Sequence, residues 1–428
     1  MNQKTIIGFA GMTHLGIISS ISAASKGYQI IGFQDDKKLI DELNMAILPI
    51  EEPQLDELFK KYKELLTFTN DTALLSECDI VYVSVDIPTN DEGISDLNPI
   101  NNIIEQIKPS LNSSAILVIL SQVPPGFTRQ IDFDSERLIY QVETLIFGRA
   151  VERGLYPERY IIGCANPQLP LPVIFENYLK AFDCPILAMR YESAELAKIS
   201  INVCLVASVS AANTMAEICE KIGAKWSEII PALKLDRRIG QYSYIQPGLG
   251  ISGGNLERDL ITVLELAKKN ETDGGIVASW VYNSNYRKNW PFKILNEVLL
   301  KENPNATIGI LGLAYKENTH SIKNSPAIIL INNLNKCRVT AYDPIVKTEI
   351  AGKNIINASK AIDVAINADA LLIMTAWPEF KDISANELAQ KMKGKIVIDP
   401  YGILDYEQVK NAGLDYFTLG APIDIKKK

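Results

Sequence analysis

A glycine-rich loop near the middle of the chain ends in three charged residues. The stretch GLGISGGNLERD, residues 248–259, holds four glycines and closes with Glu257, Arg258 and Asp259. Glycine at this density lets a backbone adopt positive φ and approach a ligand closely, and a helix directly after it would present backbone N–H groups to an anion. The stretch contains no cysteine, and Ser252 has no evident base to activate it. The loop therefore predicts a ligand site without a strong nucleophile.

A second glycine motif, GMTHLG at 11–16, follows the first apolar run of the chain. It stands where the dinucleotide fingerprint G-x-G-x-x-G connects a strand to a helix, with Gly11 and Gly16 at the outer positions. Thr13 takes the middle position, and a β-branched residue tolerates positive φ poorly. The motif is compatible with nucleotide binding at Gly11, Thr13, Leu15 and Gly16, or with a plain tight turn in which His14 is incidental.

The end of the second predicted strand bears on the choice of dinucleotide. GFQDD places Gln34 where an acid would bind the ribose hydroxyls, followed by Asp35 and Asp36. An amide oxygen still accepts a hydrogen bond, without the roughly twofold charge-assisted gain. The two acids would repel a 2′-phosphate, which favours NAD over NADP as cofactor. The alternative is that both acids merely belong to a solvated loop.

Composition narrows the class of protein. The 428 residues are 47% hydrophobic and 22% charged with a formal net charge of −8, which is typical of a soluble globular protein and disfavours nucleic-acid binding. Six cysteines lie scattered without a C-x-x-C pair, and two histidines occur, so no metal site is expected. The N-terminus lacks a signal-peptide layout, which predicts a cytoplasmic protein with free thiols.

One segment, 199–218, is long and apolar enough to cross a bilayer. It carries Asn202, Asn213 and several serines, and small residues along a helix favour close packing against protein. We therefore expect a buried helix of a soluble protein and no membrane contact.

Alternating strand and helix patterns predict the elements that position these residues. Apolar runs at 1–10, 27–36, 78–85 and 114–121 with helical patterns between them indicate a doubly wound domain at 1–190. Residues 191–295 lack strand signals and contain one long helix closed by Gly223. The alternation resumes in 306–315, 337–344, 368–376 and 395–400. The predicted fold class is α/β, with two Rossmann-like doubly wound domains, the second at 296–428, joined by a long central helix.

Further motifs follow one another in a distinctive order. They are LPIEEPQLDEL (48–58), SQVPPGFTR (121–129), ESAELAK (192–198), LDRRIGQY (235–242), GLAYKENTHSIKNSPA (312–327), AYDP (341–344) and TAWPEF (375–380). Together with the loop at 248–259 they resemble the UDP-glucose/GDP-mannose dehydrogenase family over nearly the whole chain. Many motifs at compatible spacing are far more specific than a lone motif.

This resemblance implies an NAD-binding N-terminal domain, a central helix that builds a homodimer, and a C-terminal domain for a nucleotide sugar, with a UDP-hexose as the expected substrate. Family members oxidise a sugar C6 alcohol to a carboxylate with two NAD in succession. A cysteine captures the aldehyde, so that the second oxidation yields a thioester that water releases.

The resemblance also carries over candidate site residues. Lys198 and Asn202 match a lysine and an asparagine one helical turn apart, which would stabilise an oxyanion. Glu143 in QVETLIFG (141–148) matches the glutamate of N-P-E-F-L-R-E-G and would act as a general base or position water. Asp259 matches the aspartate that closes G-G-S-C-F-P-K-D. Val85 and Gln122 match positions that bind the cofactor, and Gln122 stands where most family members have a threonine.

The family's cysteine has no counterpart. Counted back from Asp259 its position is Asn255; counted forward from 247–248 it is Gly253, so the register stays open. The residues expected to bind the substrate are Arg238, Gly253, Gly254, Lys316 and Lys323, of which Arg238 would reach the neighbouring subunit's substrate. The positions that depart from the family pattern are Tyr242, His320, Ser321, Lys323 and Tyr401. Because Arg and Lys differ toward phosphate, these departures leave the sugar nucleotide open.

The sequence is compatible with three functions. The first is an NAD-linked oxidoreductase limited to a single hydride transfer, which would yield an aldehyde or ketone, or an epimer if NAD is retained. The second is a non-catalytic member that binds a nucleotide sugar or a partner as a regulator, favoured by Thr13, Gln34 and Gln122. The third is a complete 6-dehydrogenase with a different nucleophile.

Overall fold

The computed structural model describes residues 5–90, 94–350, 352 and 355–423. The chain divides into two compact units, with the boundary between Ile201 and Asn202. Each unit contains a sheet whose strands are short apolar runs. In Ile116–Ile119, for example, all four side chains are buried, because helices cover both faces of a parallel sheet.

The first sheet has eight strands among the described residues, in the order β3-β2-β1-β4-β5-β6-β7-β8. Neighbours run parallel except β6 and β7, which are antiparallel. The strands are β1 Ile6–Ala10, β2 Gln29–Phe33, β3 Leu66–Thr69, β4 Ile80–Val83, β5 Ile116–Ile119, β6 Leu138–Gln141, β7 Tyr160–Cys164 and β8 Ile186–Arg190.

The order of its first six strands is that of a dinucleotide-binding fold, in which ligands bind beyond the carboxyl ends of β1 and β4. The helices of this unit are α1 His14–Ser25, α2 Lys37–Asn44, α3 Leu55–Tyr62, α4 Asn98–Ile107, α5 Ala150–Leu155 and α6 Val173–Lys180. Short 3₁₀ turns occupy Lys63–Leu65, Thr72–Glu77, Lys108–Ser110 and Thr128–Gln130.

A long helix, α7 Tyr191–Ile222, contains the boundary between the units. Gly223 ends it at φ +84°, a left-handed conformation that glycine adopts without strain. The helix is less buried than its sequence indicated, since only 33% of its most apolar window is buried. Its length and hydropathy are also those of a membrane-spanning helix, which by itself is weak evidence for one. Exposed apolar side chains on it are Leu196, Met215, Ile218 and Ile222.

Between α7 and β9 the described residues form four further helices. They are α8 Trp226–Leu235, α9 Asn255–Lys269, α10 Gly275–Lys288 and α11 Trp290–Leu295, which continues into a π-helical turn at Asn296–Leu300. Helix α9 begins inside the glycine-rich motif, four residues before Asp259, whereas the sequence placed the helix after it.

The second sheet is parallel throughout its described strands, in the order β11-β10-β9-β12-β13-β14. This is the order of β3-β2-β1-β4-β5-β6, so the prediction of two Rossmann-like domains and a long central helix is confirmed. The strands are β9 Thr307–Leu311, β10 Arg338–Tyr342, β11 Ile355–Asn357, β12 Ala370–Ile373, β13 Ile396–Ile398 and β14 Asp415–Phe417. The helices are α12 Pro326–Asn333, α13 Ala385–Lys391 and α14 Tyr406–Asn411, with 3₁₀ turns at Thr348–Ile350, Ala361–Ala365 and Pro378–Asp382.

Candidate active site

The loop between β1 and α1 requires glycine at both outer positions of its motif. Gly11 has φ +107°, and a Cβ there would lie 2.6 Å from Val85 Cγ1. A Cβ on Gly16 would lie 1.9 Å from the Gly11 carbonyl oxygen. These contacts bring the loop tightly against the start of α1, the arrangement in which a helix N-terminus receives a pyrophosphate.

Thr13 does not occupy the conformation that the sequence argument assumed. Its φ is −84° and its ψ −175°, which is ordinary extended backbone, so no positive φ is needed and a β-branched residue fits. Its hydroxyl donates to the Ser84 carbonyl oxygen at 3.0 Å and makes no cap bond to α1. The first N–H groups of α1 are therefore not capped by this side chain. The Leu15 side chain is buried in the core, which leaves only its backbone for a cofactor.

His14 is not incidental. Its Nε2 lies 2.9 Å from Glu52 Oε1, and its ring packs on Phe147 with centroids 4.4 Å apart. Glu52 also accepts the N–H groups of Gly148 at 2.9 Å and Ala150 at 3.2 Å. His14 and Glu52 therefore tie the start of α1 to the segment that carries Glu143.

Gln34 supports the glycine loop directly. Its Oε1 accepts the Met12 N–H at 3.0 Å, so the amide oxygen anchors the loop to the end of β2. Asp36 caps α2 by accepting the N–H groups of Lys38 and Leu39, and Asp35 accepts Gln106 Nε2 at 2.5 Å. Both acids are exposed, as expected of a solvated loop, and each also makes a defined hydrogen bond.

Two predicted catalytic residues of the first unit lie close together. Lys198 Nζ is 3.5 Å from Glu143 Oε2, and their side chains are only 16% and 18% exposed. Glu143 Oε1 also accepts the Leu145 N–H. A partly buried ion pair of this kind fixes an ammonium group more firmly than a surface pair does.

A further acid near this pair was not singled out by the sequence. Asp86 lies three residues after the end of β4, next to Val85. Burial raises the pKa of Asp86, and the negative charge of Glu143 adds to the rise, while Thr13 and His14 oppose it. The only feature of the sequence that could have identified Asp86 is its position, an acid three residues after the end of a buried strand.

The other cofactor-side residues lie on the same edge of the first sheet. The Val85 carbonyl oxygen accepts the Ser121 hydroxyl at 2.6 Å, and half-buried Gln122 follows Ser121. The buried Glu195 accepts the N–H groups of Gly126 and Thr128 at 2.5 and 2.9 Å, which holds the loop after Gln122 in place.

In the second unit the glycine-rich loop leads directly into α9. Gly253 has φ +78°, and a Cβ on it would lie 2.8 Å from the Tyr315 ring, so only glycine fits. Its N–H donates to the Lys323 carbonyl oxygen at 3.0 Å. Gly254 is the N-cap of α9, beside the Lys323 side chain, and Asn255 is the first helical residue. Two predicted substrate residues, Gly254 and Lys323, are thus neighbours.

The central polar contact of this unit joins α7 to α9. Asn202 Nδ2 donates to Asp259 Oδ2 at 2.5 Å, and Arg258 Nε lies 3.4 Å from Asp259 Oδ1. The Asp259 residue is only 1% exposed, so its carboxylate depends on these partners. Asn255 and Asp259 are four residues apart on α9 and share one face of the helix. Both Asn202 and Asp259 were predicted from the sequence as candidate site residues, but nothing in the sequence indicated that they form a hydrogen bond with each other.

The remaining substrate-side predictions lie at the surface. The Arg238 side chain is 89% exposed and pairs with Asp236 at 2.7 Å. Lys316 Nζ lies 5.9 Å from the centroid of the Tyr315 ring. The Arg238 contact does not involve the loop at Gly253, whereas the Tyr315 ring near Lys316 is the one that packs against Gly253.

The described residues contain no group of three or more His, Cys, Asp or Glu placed to hold a metal ion. All six cysteines are free. Burial raises the pKa of five of them, namely Cys78 (to about 12), Cys164, Cys184, Cys219 and Cys337. The sixth, Cys204, is exposed on α7.

Comparison with known protein families adds the decisive observation. Residues 5–178 match the NAD binding domain of the UDP-glucose/GDP-mannose dehydrogenase family, 192–286 match its central domain, and 309–406 match its UDP binding domain. A UDP-glucose 6-dehydrogenase of Rickettsia conorii is 31% identical over 97% of this chain and 100% of its own length. The chain belongs to the UDP-glucose/GDP-mannose dehydrogenase family.

Another relative supports the same assignment, and solved structures share the fold. UDP-glucose 6-dehydrogenase TuaD of Bacillus subtilis is 28% identical over 97% of this chain and 93% of its own. A UDP-glucose dehydrogenase of Pyrobaculum islandicum shares the fold, with a TM-score of 0.85 at 22% identity and 98% of both chains covered. UDP-D-ManNAc dehydrogenase of Pyrococcus horikoshii has a TM-score of 0.83 at 25% identity, covering 97% of this chain and 99% of that one.

Family membership makes NAD the cofactor and a nucleotide sugar the substrate. The residues present fit NAD. Gly11 and Gly16 form a close-packed loop at the start of α1. Thr13 is the N-cap residue of α1, but its side chain makes no hydrogen bond to the first N–H groups of the helix. Gln34 holds the loop in this position.

Proposed function

We propose that this family member carries out a single two-electron oxidation of a UDP-sugar and does not complete the second oxidation to a uronic acid. The observation that carries this proposal is Asn255, which stands one helical turn before Asp259 at the start of α9. This is the cysteine position when the motif is counted back from Asp259. An asparagine amide cannot form the thiohemiacetal that the second oxidation needs.

The other thiols offer no clear replacement. Complete or partial burial raises the pKa of five cysteines, which lowers their thiolate population. Cys204 follows Asn202 by two residues on α7, and residues two apart lie on nearly opposite sides of a helix. Because Asn202 faces Asp259, Cys204 points away from that carboxylate.

In the proposed reaction the chain's own residues hold the alcohol and manage its proton. NAD, when bound, accepts a hydride from the oxidised carbon. The Lys198 ammonium group stabilises the negative charge that develops on the sugar oxygen, and Glu143 fixes its position through the 3.5 Å ion pair. Asp259 accepts the alcohol proton, and Asn202 orients its carboxylate. The products are a carbonyl compound, NADH and one proton.

The substrate contacts form a second part of the proposal. We infer that the Gly253 and Gly254 backbone, Lys316 and Lys323 bind the diphosphate of the nucleotide, since lysine and N–H groups at a helix start both favour anions. Lys323 already lies beside Gly254. Arg238 is assigned to the substrate of a neighbouring subunit, in keeping with its exposure. We also infer that the chain has three functional parts: residues 1–190 bind NAD, residues 191–295 form the dimer, and residues 296–428 bind the nucleotide sugar.

A homodimer and a soluble, cytoplasmic location belong to the same proposal. The exposed apolar side chains Leu196, Met215, Ile218 and Ile222 of α7 require a cover, and a second copy of the helix supplies one. The match of 192–286 to the family's central domain supports protein rather than lipid as that cover.

The second candidate is a complete 6-dehydrogenase, favoured by the names of the relatives at 28–31% identity. One assay separates the candidates. The purified protein is incubated with NAD and a panel of UDP-, GDP- and CDP-sugars, and the product is identified by mass spectrometry. An aldehyde or ketone supports the single oxidation, and an epimer without net NADH supports oxidation followed by reduction in place. A uronic acid overturns the proposal, and NAD binding without turnover indicates a regulator.

A further inference from the structure

One buried carboxylate joins the beginnings of two helices of the first unit. Glu52 lies shortly before α3, and its side chain is only 1% exposed. Its Oε1 lies 2.9 Å from Nε2 of His14, the first residue of α1, and accepts the Gly148 N–H at 2.9 Å. Its Oε2 accepts the N–H of Ala150, the first residue of α5, at 3.2 Å. Because a buried carboxylate needs such donors in place of water, Glu52 holds these three groups together.

The segment 143–150 connects β6 to α5 and is attached at both of its ends. At its start, Glu143 Oε2 lies 3.5 Å from Lys198 Nζ. Toward its end, Gly148 has φ +84°, a left-handed conformation that suits glycine, and its N–H bonds to Glu52. Only a short stretch of chain therefore separates Glu143 from the point at which Glu52 fixes the backbone.

The same carboxylate contacts the helix that serves the cofactor. His14 follows Thr13, the N-cap of α1, and the N-terminus of this helix is the expected site of the NAD pyrophosphate. The Phe147 ring packs on the His14 ring with centroids 4.4 Å apart, which is a second contact between the segment 143–150 and the start of α1. The position of this segment relative to the start of α1 is therefore set within the first unit, through Glu52 and His14.

We propose that Glu52 is a positioning residue of the reaction, which acts through Glu143. By fixing the segment 143–150 against the start of α1, it sets the place of the Glu143–Lys198 pair relative to the helix where the cofactor binds. This inference rests on the proposed role of that pair at the reacting sugar oxygen. The rate depends steeply on such geometry, since a displacement of about 1 Å can lower it about 10²-fold.

The variant Glu52→Gln isolates this role because an amide has the shape of the carboxylate. One oxygen becomes an NH₂ group, which accepts no hydrogen bond from an N–H, so either Gly148 or Ala150 loses its acceptor. The glycine loop keeps its own support, the bond from the Met12 N–H to Gln34. We expect the Kd for NAD, measured by calorimetry, to change less than about threefold, while kcat at saturating NAD and UDP-sugar falls about tenfold or more.

A double-mutant cycle with Glu143→Gln tests whether Glu52 acts through Glu143. Once the Glu143 charge is gone, its exact position matters less, so Glu52→Gln is expected to lower kcat less than about twofold in that background. A purely structural defect would lower kcat by the same factor in both backgrounds. The matched control is Asp79→Asn, which alters a carboxylate that accepts the Ile6 N–H at 2.9 Å at the amino ends of β1 and β4, and it should leave kcat unchanged.

A second variant leaves the buried carboxylate in place. Gly148→Ala puts a side chain on a residue with φ +84°, where L-residues are strained, and so displaces the part of the segment that Glu52 holds. We expect the same pattern, a lower kcat with NAD affinity retained. Its control is Gly27→Ala, beyond the other end of α1, where the residue has φ +88° and the added methyl group meets no atom within 4 Å. This control should keep the parent's kcat.

Three results would overturn the proposal. The first is an unchanged kcat in both Glu52→Gln and Gly148→Ala. The second is a loss of NAD binding in step with kcat in both variants, which would assign Glu52 to the cofactor loop alone. The third is an equal loss of kcat from Glu52→Gln in the two backgrounds of the cycle.

Failure of the proposed function gives a different result, because full kcat in the single variant Glu143→Gln removes that residue from the reaction and the positioning role with it. Circular dichroism and thermal melting verify the folding of each variant. Where Glu52→Gln does not fold, the comparison of Gly148→Ala with Gly27→Ala decides.

Discussion

Asn202 on α7 donates to the carboxylate of Asp259 on α9 across 2.5 Å. The two residues are 57 positions apart in the sequence, with the rest of α7, all of α8 and the glycine-rich loop between them. The bond links a residue one helical turn from Lys198 to the helix that starts at Asn255. Substitution of either residue is therefore expected to disturb the position of the other.

Asn202→Ala tests the importance of this contact. Removal of the amide leaves a buried carboxylate with one fewer donor, which costs about 1–3 kcal/mol for a bond to a charged group. We expect a lower urea midpoint and a loss of turnover of more than tenfold, since the orientation of Asp259 is lost. Ser208→Ala on the same helix removes only an exposed hydroxyl bond and provides the control. Normal turnover in Asn202→Ala would remove Asp259 orientation from the mechanism.

Glu143→Gln tests the ion pair with Lys198. The amide keeps the shape of the side chain but removes the charge that fixes the ammonium group 3.5 Å away. We expect kcat to fall by about 10²-fold, the lower end of the effect of a positioned acid–base group, with the melting temperature little changed. Glu176→Gln breaks an exposed pair with Lys180 and should leave kcat unaltered. Equal kcat values for the two variants would contradict the assigned role.

Gly16→Ala tests the cofactor loop. The added methyl group would lie 1.9 Å from the Gly11 carbonyl oxygen, so the loop must move away from α1. We expect the protein to fold but to lose measurable NAD binding by calorimetry. Gly248→Ala meets no atom within 4 Å and is expected to bind NAD like the parent. Undiminished NAD binding by Gly16→Ala would mean that the dinucleotide does not use this loop.

The sequence predicted the strands of the two sheets better than it predicted the polar contacts between residues that are distant in sequence. Apolar runs and glycine positions are local signals, and they located β1, β4 and the loop at Gly11 correctly. Thr13 was misjudged because its backbone is extended and its hydroxyl bonds to Ser84, a partner far along the chain. The bond of His14 to Glu52 and the bond of Asn202 to Asp259 also join distant segments, and no local pattern predicts such pairs.

Glu220→Ala tests what stabilises the end of α7. Glu220 accepts Arg287 Nη2 at 3.2 Å, Trp290 Nε1 at 2.9 Å and the Gly420 N–H at 3.1 Å. Arg287 is fully buried and would keep only its pair with the partly exposed Glu217 at 3.3 Å, so the variant should lose about 3–5 kcal/mol of unfolding free energy. Glu228→Ala removes an exposed pair with Lys225, which should cost less than about 1 kcal/mol. Similar denaturation curves for both variants would show that the buried network contributes little.

The number of NADH molecules formed per sugar consumed tests the central claim most directly. The parent protein and Asn255→Cys are each given NAD and their preferred UDP-sugar, and NADH absorbance is compared with the sugar lost. We predict one NADH and a carbonyl product for the parent, and a second NADH with a uronic acid for Asn255→Cys, because a thiol at the start of α9 restores the missing nucleophile. Two NADH and a uronic acid from the parent protein would contradict the account.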